Sequence, residues 1–165
     1  MSKRSLSPAE WSLLRALILE ARDPTGYPPA EPIAAGLGMS NDEARDHLDM
    51  LEHFEMVRLL KCGEPVPHFE VLWRGREEAA QRGESVPSPV ADAGKLLAFL
   101  RNPGDGLPAG SQQADDEAIV RRFGWSHRQA LDAARVLAHR DHVKLQTTMS
   151  ESFVVLLTAR GRRST

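Results

Sequence analysis

Side chains that could bind nucleic acid are concentrated between residues 126 and 163. The candidates are Ser126, His127, Arg128, Gln129, Arg135, Lys144, Arg160, Arg162 and Arg163. Arginine can hydrogen-bond a guanine edge at two atoms, and glutamine can do the same to adenine. Arg128 and Gln129 are therefore candidate base contacts. Lys144 and the hydroxyl-rich segment Thr147 to Ser152 are candidates for contact with the phosphate backbone.

Other kinds of chemistry have little support in the sequence. Cys62 and His68 lie on opposite arms of a predicted hairpin and could approach each other, but two ligands are too few for a structural zinc site. His139 and His142 are close in sequence, yet His142 lies where a helix is predicted to end. The sequence has no glycine-rich phosphate loop, no paired catalytic carboxylates and no serine-centred elbow. We therefore expect no metal, no cofactor and no enzymatic activity.

The composition indicates an ordinary globular chain. The sequence has 165 residues, a formal net charge of −2 and one cysteine, Cys62. A single cysteine excludes an intrachain disulfide and favours a reducing compartment. The sequence does not begin with a long apolar segment, and no apolar run approaches the length of a membrane span. We expect a soluble, cytoplasmic protein without a membrane partner.

The sequence contains an internal repeat. Residues Gly38 to Arg76 align without a gap with Gly124 to Arg162, an offset of 86 residues, and eleven of these positions are identical. The identities include Gly38/Gly124, Ser40/Ser126, Ala44/Ala130, Leu51/Leu137, Val57/Val143 and the closing Arg74-Gly75-Arg76/Arg160-Gly161-Arg162. This period is too long for a solenoid and suits two small domains. We place them at residues 1–82 and 90–165, joined by a linker at residues 83–89 that contains two prolines.

Each copy is predicted to fold as three helices followed by a β-hairpin, so that the chain is α+β and mainly α. Ser7-Pro8 and Ser88-Pro89 begin the first helices, because serine caps a helix and proline suits its first position. The other elements of the first copy are helices at Glu31 to Leu37 and Ser40 to Phe54 and strands at Val57 to Lys61 and His68 to Trp73. Those of the second copy are helices at Asp115 to Phe123 and Ser126 to Arg140 and strands at Val143 to Thr148 and Phe153 to Thr158.

Two strings carry a family resemblance: Ile33-Ala34-Ala35-Gly36-Leu37-Gly38-Met39-Ser40 and Ile119-Val120-Arg121-Arg122-Phe123-Gly124-Trp125-Ser126. They resemble the helix-turn-helix core of winged-helix transcription regulators of the MarR and ArsR kind. The endings Leu72 to Arg76 and Leu157 to Arg162 are similar to the motif that often closes the wing in that superfamily. The resemblance implies two winged helix-turn-helix domains in tandem, whose third helices are the elements that would enter a DNA major groove.

One departure from the family pattern concerns the turn after the third helix. The glycine that usually links this helix to the first wing strand is replaced by Glu55 in one copy and by Asp141 in the other. We therefore expect this turn to be built differently.

The two predicted third helices differ in charge on the face opposite the core. With Ala44, Leu48 and Leu51 on the core side, the outward residues of the first are Asp42, Asp46, Asp49 and His53. The equivalent residues of the second are Arg128, Asp132, Arg135 and His139. Residues 1–85 have 10 Lys and Arg against 15 Asp and Glu, whereas residues 86–165 have 11 against 8. Because phosphate contacts dominate affinity for nucleic acid, we expect the first copy to be a poor DNA reader and any DNA contact to be made mainly by the second copy.

Two functional hypotheses follow. In the first, the chain is a transcriptional regulator whose C-terminal winged helix contacts double-stranded DNA, while Asp42, Asp46 and Asp49 mediate dimerisation or partner binding. In the second, it is a protein-interaction module without a DNA function. Tandem winged helices of that kind resemble a bacterial chromosome-segregation subunit that clasps a kleisin, and an ESCRT-II subunit. A replication-initiator-like protein shares the DNA prediction but normally has a more basic character.

Overall fold

The structure is a computed structural model that describes residues 5–21 and 26–163. It is α+β and mainly helical, as predicted, with 54% helix and 14% strand. The chain divides into two compact units, Met1–Val86 and Pro87–Thr165, here called the N-terminal and C-terminal units. Within the predicted linker, Glu84 accepts a hydrogen bond from Arg15 in the N-terminal unit and Ser88 caps the first helix of the C-terminal unit. None of the described helices combines the length and apolar composition needed to cross a membrane.

The N-terminal unit contains the predicted order of elements and one additional helix. Its elements are α1 (Pro8–Glu20), α2 (Glu31–Gly36), α3 (Asn41–His53), β1 (Val57–Leu60), β2 (His68–Val71) and α4 (Trp73–Gln81). Ser7 and Ser40 cap α1 and α3, and each cap is closed by a glutamate three residues later. Leu14 of α1, Leu48 of α3 and Phe69 of β2 are fully buried in one core. The helices therefore pack on the inner face of the hairpin.

The C-terminal unit has the same order of elements as the N-terminal unit, with two further short elements, a 3-10 turn and a third strand. Its elements are α5 (Pro89–Arg101), a 3-10 turn (Gly104–Gly106), β3 (Gln113–Asp115), α6 (Asp116–Phe123), α7 (His127–His139), β4 (Val143–Thr147), β5 (Phe153–Leu157) and α8 (Ala159–Arg163). β5 lies between β3 and β4 in an antiparallel three-stranded sheet. Leu96 of α5, Leu137 of α7 and Val155 of β5 are buried together with the rest of this core.

The offset of 86 residues holds in the hydrogen bonding of the two hairpins. Val57 pairs with Val71 across β1 and β2, and Val143 pairs with Leu157 across β4 and β5. The backbone N–H of Leu72 donates to the carbonyl of Met56 (2.9 Å), as that of Thr158 does to His142 (3.0 Å). The sequence repeat is therefore also a repeat of strand register.

The turn after the third helix keeps a glycine-like backbone without a glycine. Glu55 and Asp141 have φ angles of 57° and 59°, in the left-handed region that glycine enters most readily. The prediction that this turn is built differently is therefore wrong for its backbone. Each carboxylate also pairs with an arginine 19 residues further on: Glu55 with Arg74 (3.1 Å) and Asp141 with Arg160 (3.5 Å).

The Arg-Gly-Arg segments begin helices rather than ending strands, because β2 ends at Val71 and α4 begins at Trp73. A Cβ on Gly75 would lie 2.6 Å from the carbonyl oxygen of Met56, and one on Gly161 would lie even closer to that of His142. Only glycine lets these short helices approach the preceding turn so closely. The prediction that the second strand reaches Trp73 is therefore wrong.

Candidate nucleic-acid interface

The acidic face of α3 is exposed as the sequence predicts. Ala44, Leu48 and Leu51 are buried, and Asp42, Asp46 and Asp49 on the opposite side are exposed to solvent. Arg45 pairs with Asp42 at the start of the helix. The N-terminal unit therefore presents a helix face that repels phosphate.

The corresponding face of α7 differs in exposure as well as in charge. Arg128 and Arg135 are half-buried and His139 is exposed. Asp132 has only 1% of its surface exposed, so its predicted outward position is wrong. The sequence contained a sign that more of α7 is buried. Leu131 and Ala133 of α7 occupy the positions of the polar Arg45 and His47 of α3. A helix with apolar residues on most sides is largely buried.

Gln129 has a structural role that the sequence did not reveal. Its side-chain Nε2 donates to Oδ2 of Asp92 at 2.8 Å, and Asp92 is 4% exposed on the first turn of α5. Lys95 lies 3.5 Å from the other carboxylate oxygen of Asp92. The amide of Gln129 is therefore held inside the C-terminal unit rather than presented to a base edge, which corrects its predicted role.

The start of α7 contacts the hairpin. Ser126 caps the helix by accepting the backbone N–H of Gln129 at 3.1 Å. His127 lies 3.2 Å from a carboxylate oxygen of Asp116, and its ring centroid is 5.4 Å from that of Phe153, the first residue of β5. The N-terminus of α7 therefore lies beside the end of the hairpin that carries the β4–β5 loop.

The β4–β5 loop is polar and exposed. The backbone N–H of Thr148 donates to the carbonyl of Ser152 at 2.8 Å, and Glu151 between them has a φ of 65°. Thr147 through Ser152 are exposed, as is Lys144 on β4, which pairs across the hairpin with Leu156. Side chains on this loop can therefore reach a molecule that also contacts the start of α7.

Two of the three predicted cations at residues 160–163 make contacts within the C-terminal unit. Arg160 pairs with Asp141, and Arg162 donates to the carbonyl of Leu157 at 3.3 Å and to the side chain of Gln112. In the N-terminal unit the equivalent Arg74 pairs with Glu55, and Arg76 donates to the carbonyl of Val71 at 2.8 Å. Because both units share these contacts, Arg160 and Arg162 do not distinguish a DNA-binding copy.

Some exposed cations were not singled out from the sequence. Arg121 and Arg122 lie in the last turn of α6, where they complement the negative helix C-terminus, and Arg140 follows α7. Arg163, which was predicted, is exposed as well. Near these cations, burial, followed by the charges of Arg160 and Arg140, lowers the pKa of the His142 imidazole.

Cys62 and His68 approach each other across the β1–β2 loop, as the sequence suggested. The structure adds a third residue, Glu64, to this group. The expectation of no metal assumed that only two ligands were available, and that assumption is wrong.

Comparison of the chain with protein-family models, with curated proteins and with solved structures found no match.

Proposed function

We propose that the chain consists of two winged-helix domains in tandem and that the C-terminal unit binds double-stranded DNA as a transcriptional regulator. The support for the fold is the element order of three helices and a hairpin, with the same strand register in both units. The single cysteine suits a protein of the reducing cytoplasm.

The observation that carries the DNA proposal is the contact between the start of α7 and the hairpin. A helix N-terminus has unsatisfied N–H groups and partial positive charge, both of which favour phosphate. The ring contact between His127 and Phe153 brings this terminus beside the β4–β5 loop, whose hydroxyl groups can bond a phosphate backbone. Lys144 lies near the other end of β4, where it pairs with Leu156, and can bond a phosphate further along the same hairpin. A helix in the major groove and a hairpin on the adjacent backbone would then act together.

The contact set we propose is smaller than the one expected from the sequence. It retains His127, Arg128, Lys144 and Arg163, with Arg135 further along the same helix. Ser126, Gln129, Arg160 and Arg162 are assigned to the structure of the unit.

Binding of the full chain to genomic DNA fragments at two salt concentrations tests this proposal. Arg128→Glu combined with Arg135→Glu should abolish binding, whereas Asp42→Asn combined with Asp49→Asn at the equivalent positions should preserve it. Lys144→Ala should lower the salt slope of log K by about 1. Its matched control is Arg58→Ala at the equivalent position of β1, which should leave the slope unchanged. Absence of salt-sensitive binding by the folded wild type would overturn the proposal.

A second candidate function is protein binding through the acidic face of α3. The observation in its favour is the exposure of Asp42, Asp46 and Asp49 along one side of the helix. Under the DNA proposal this face would serve self-association or a basic protein partner. Light scattering of the wild type and of the Asp46→Lys/Asp49→Lys variant tests self-association: a shift from dimer to monomer supports it, and an unchanged monomer rejects it.

A further inference from the structure

The β1–β2 loop brings together three side chains that can ligate a metal ion. The ligand atoms of Cys62, Glu64 and His68 all lie within 4.8 Å of one another. We propose that this cluster binds a divalent cation of the zinc class through the Cys62 thiolate, the Glu64 carboxylate and the His68 Nε2. This site is separate from the DNA proposal and does not depend on it.

The loop that carries the cluster is anchored at one end. His68 is the first residue of β2 and pairs with Leu60, the last residue of β1. Immediately before it, Val66 and Pro67 are buried. Gly63, with a φ of 82°, makes the turn between Cys62 and Glu64. The backbone is therefore fixed beside His68, while the exposed side chains of Cys62 and Glu64 can rotate toward a shared ion.

The backbone orients His68 toward its neighbours. Its Nδ1 lies 3.0 Å from the carbonyl oxygen of Tyr27, which can only accept a hydrogen bond. Nδ1 therefore carries a proton in this contact, and in the neutral ring Nε2 presents its lone pair. A backbone carbonyl on one ring nitrogen with the other nitrogen free to ligate is the usual environment of a metal-binding histidine.

The atom opposite Nε2 favours a cation between them. The Oε2 atom of Glu64 lies 3.2 Å from Nε2, so a cation between them would be shared by the carboxylate and the ring. The exposed thiol of Cys62 next to the pair supplies the third ligand, which a simple His–Glu ion pair would not need.

The ligand types indicate which ion would bind. Sulfur, imidazole nitrogen and carboxylate oxygen form a donor set typical of zinc, whereas magnesium and calcium prefer oxygen alone. Bond lengths to zinc of about 2.0–2.3 Å require the three atoms to contract modestly from their present spacing. Three protein ligands leave a coordination position for water or for a group from another molecule.

The second hairpin provides an internal control. At the offset of 86 residues, Thr148, Ser150 and Val154 stand where Cys62, Glu64 and His68 stand in the first. These three side chains lack the thiolate, carboxylate and imidazole groups. The proposed site therefore belongs to the N-terminal unit, and each ligand can be replaced by the residue that the same fold position carries in the other unit.

Titration of the full chain with Co²⁺, followed by competition with Zn²⁺, tests the proposal. We expect one equivalent of Co²⁺ to give a thiolate-to-cobalt charge-transfer band with tetrahedral d–d bands, which Zn²⁺ but not Mg²⁺ removes. Glu64→Ser and His68→Val should each weaken Zn²⁺ binding by at least about tenfold. Cys62→Thr should remove the charge-transfer band. His53→Gln and Glu20→Gln, which change exposed residues elsewhere in the same unit, should bind as the wild type does.

Zn²⁺ protection of Cys62 from a thiol reagent gives a second readout. Zn²⁺ should slow modification of Cys62 in the wild type and in His53→Gln, but not in Glu64→Ser. A wild type without the charge-transfer band, or Glu64→Ser and His68→Val variants that bind Zn²⁺ as tightly as the wild type, would overturn the proposal. Circular dichroism of each variant establishes that a loss of binding is not a loss of fold.

Discussion

The N-terminal and C-terminal units share a backbone frame but use equivalent positions for different purposes. In both, an Arg-Gly-Arg segment closes on the turn after the third helix, through Glu55 and Arg74 in one unit and Asp141 and Arg160 in the other. By contrast, Asp46 of α3 is exposed, whereas its counterpart Asp132 of α7 is buried. The shared backbone arrangement depends on close contacts that few residue types can make. The helix faces and the hairpin loops are not constrained in this way, so their side chains differ between the two units.

The largest effect we expect comes from placing a methyl group in the shared frame. Gly161→Ala puts Cβ against the carbonyl oxygen of His142, so it should destabilise the C-terminal unit by about 3 kcal/mol. Gly75→Ala should destabilise the N-terminal unit by somewhat less, because its closest approach is longer. Denaturant unfolding followed by hydrogen exchange in each unit measures both changes.

Gly94→Ala is the matched control, because Gly94 lies in α5 with open space around its Cβ position. It should raise the stability of the C-terminal unit by up to about 1 kcal/mol. Equal effects of Gly161→Ala and Gly94→Ala would show that the close approach does not constrain the fold.

The next largest effect distinguishes two equivalent residues at the starts of the third helices. Gln129→Ala removes the hydrogen bond to buried Asp92 and should cost the C-terminal unit about 1–2 kcal/mol. Glu43→Ala removes a capping contact at the exposed start of α3 and should cost only about 0.5 kcal/mol. Chemical denaturation of the two variants checks the order. A reversed order would mean that Asp92 does not depend on Gln129.

A smaller effect concerns the left-handed turn. Glu55→Gly relieves an unfavourable φ but loses the exposed pair with Arg74, so we expect a net gain of about 0.5 kcal/mol. Asp141→Gly should gain less, because aspartate tolerates this conformation better than glutamate does. Thermal unfolding of both variants tests the difference, and a loss of stability in Glu55→Gly would mean that the ion pair outweighs the backbone strain.

The smallest effect is a pH dependence confined to the C-terminal unit. The pKa of His142 is lowered in the folded state by burial and by Arg160, Arg140 and Arg101, against a smaller opposing contribution from Asp141. In the unfolded chain the His142 imidazole has its ordinary pKa of about 6.5, so below that pH it binds more protons than it does in the folded chain. The free energy of unfolding is therefore highest above about pH 6.5 and falls as the pH decreases below it. His142→Met, which installs the residue found at the equivalent position 56, should lose less stability between pH 7 and about pH 5 than the wild type does.

Unfolding of wild type and His142→Met at these two pH values gives the comparison. Identical losses would show that His142 does not contribute.

Much of the frame could be predicted from the sequence because local signals specify it. Ser7 and Ser88 cap the first helices as expected, Ser40 and Ser126 cap the third helices that were predicted to begin at them, and the predicted hairpins are present. The short α4 and α8 were missed because their first residues, including Gly75 and Gly161, were interpreted as the motif that closes the hairpin in the resembled family. β3 was missed because its three residues form a strand only through pairing with β5, and no local sequence pattern predicts that pairing.

Site residues were harder to predict because their roles depend on distant partners. The outward face of α3 followed from helical spacing alone. Gln129 could not be assigned without Asp92, which lies 37 residues earlier in the chain. Glu64 joined Cys62 and His68 only once the β1–β2 loop had its backbone conformation.

The exposed position of Cys62 offers a route to site-specific labelling. The sequence has no other cysteine, so a maleimide fluorophore reacts at one place on the β1–β2 loop without prior mutagenesis. The Cys62→Thr/Thr148→Cys variant would move the same dye by one repeat to the other hairpin. A pair of proteins labelled in this way could report separately on molecules that approach either hairpin.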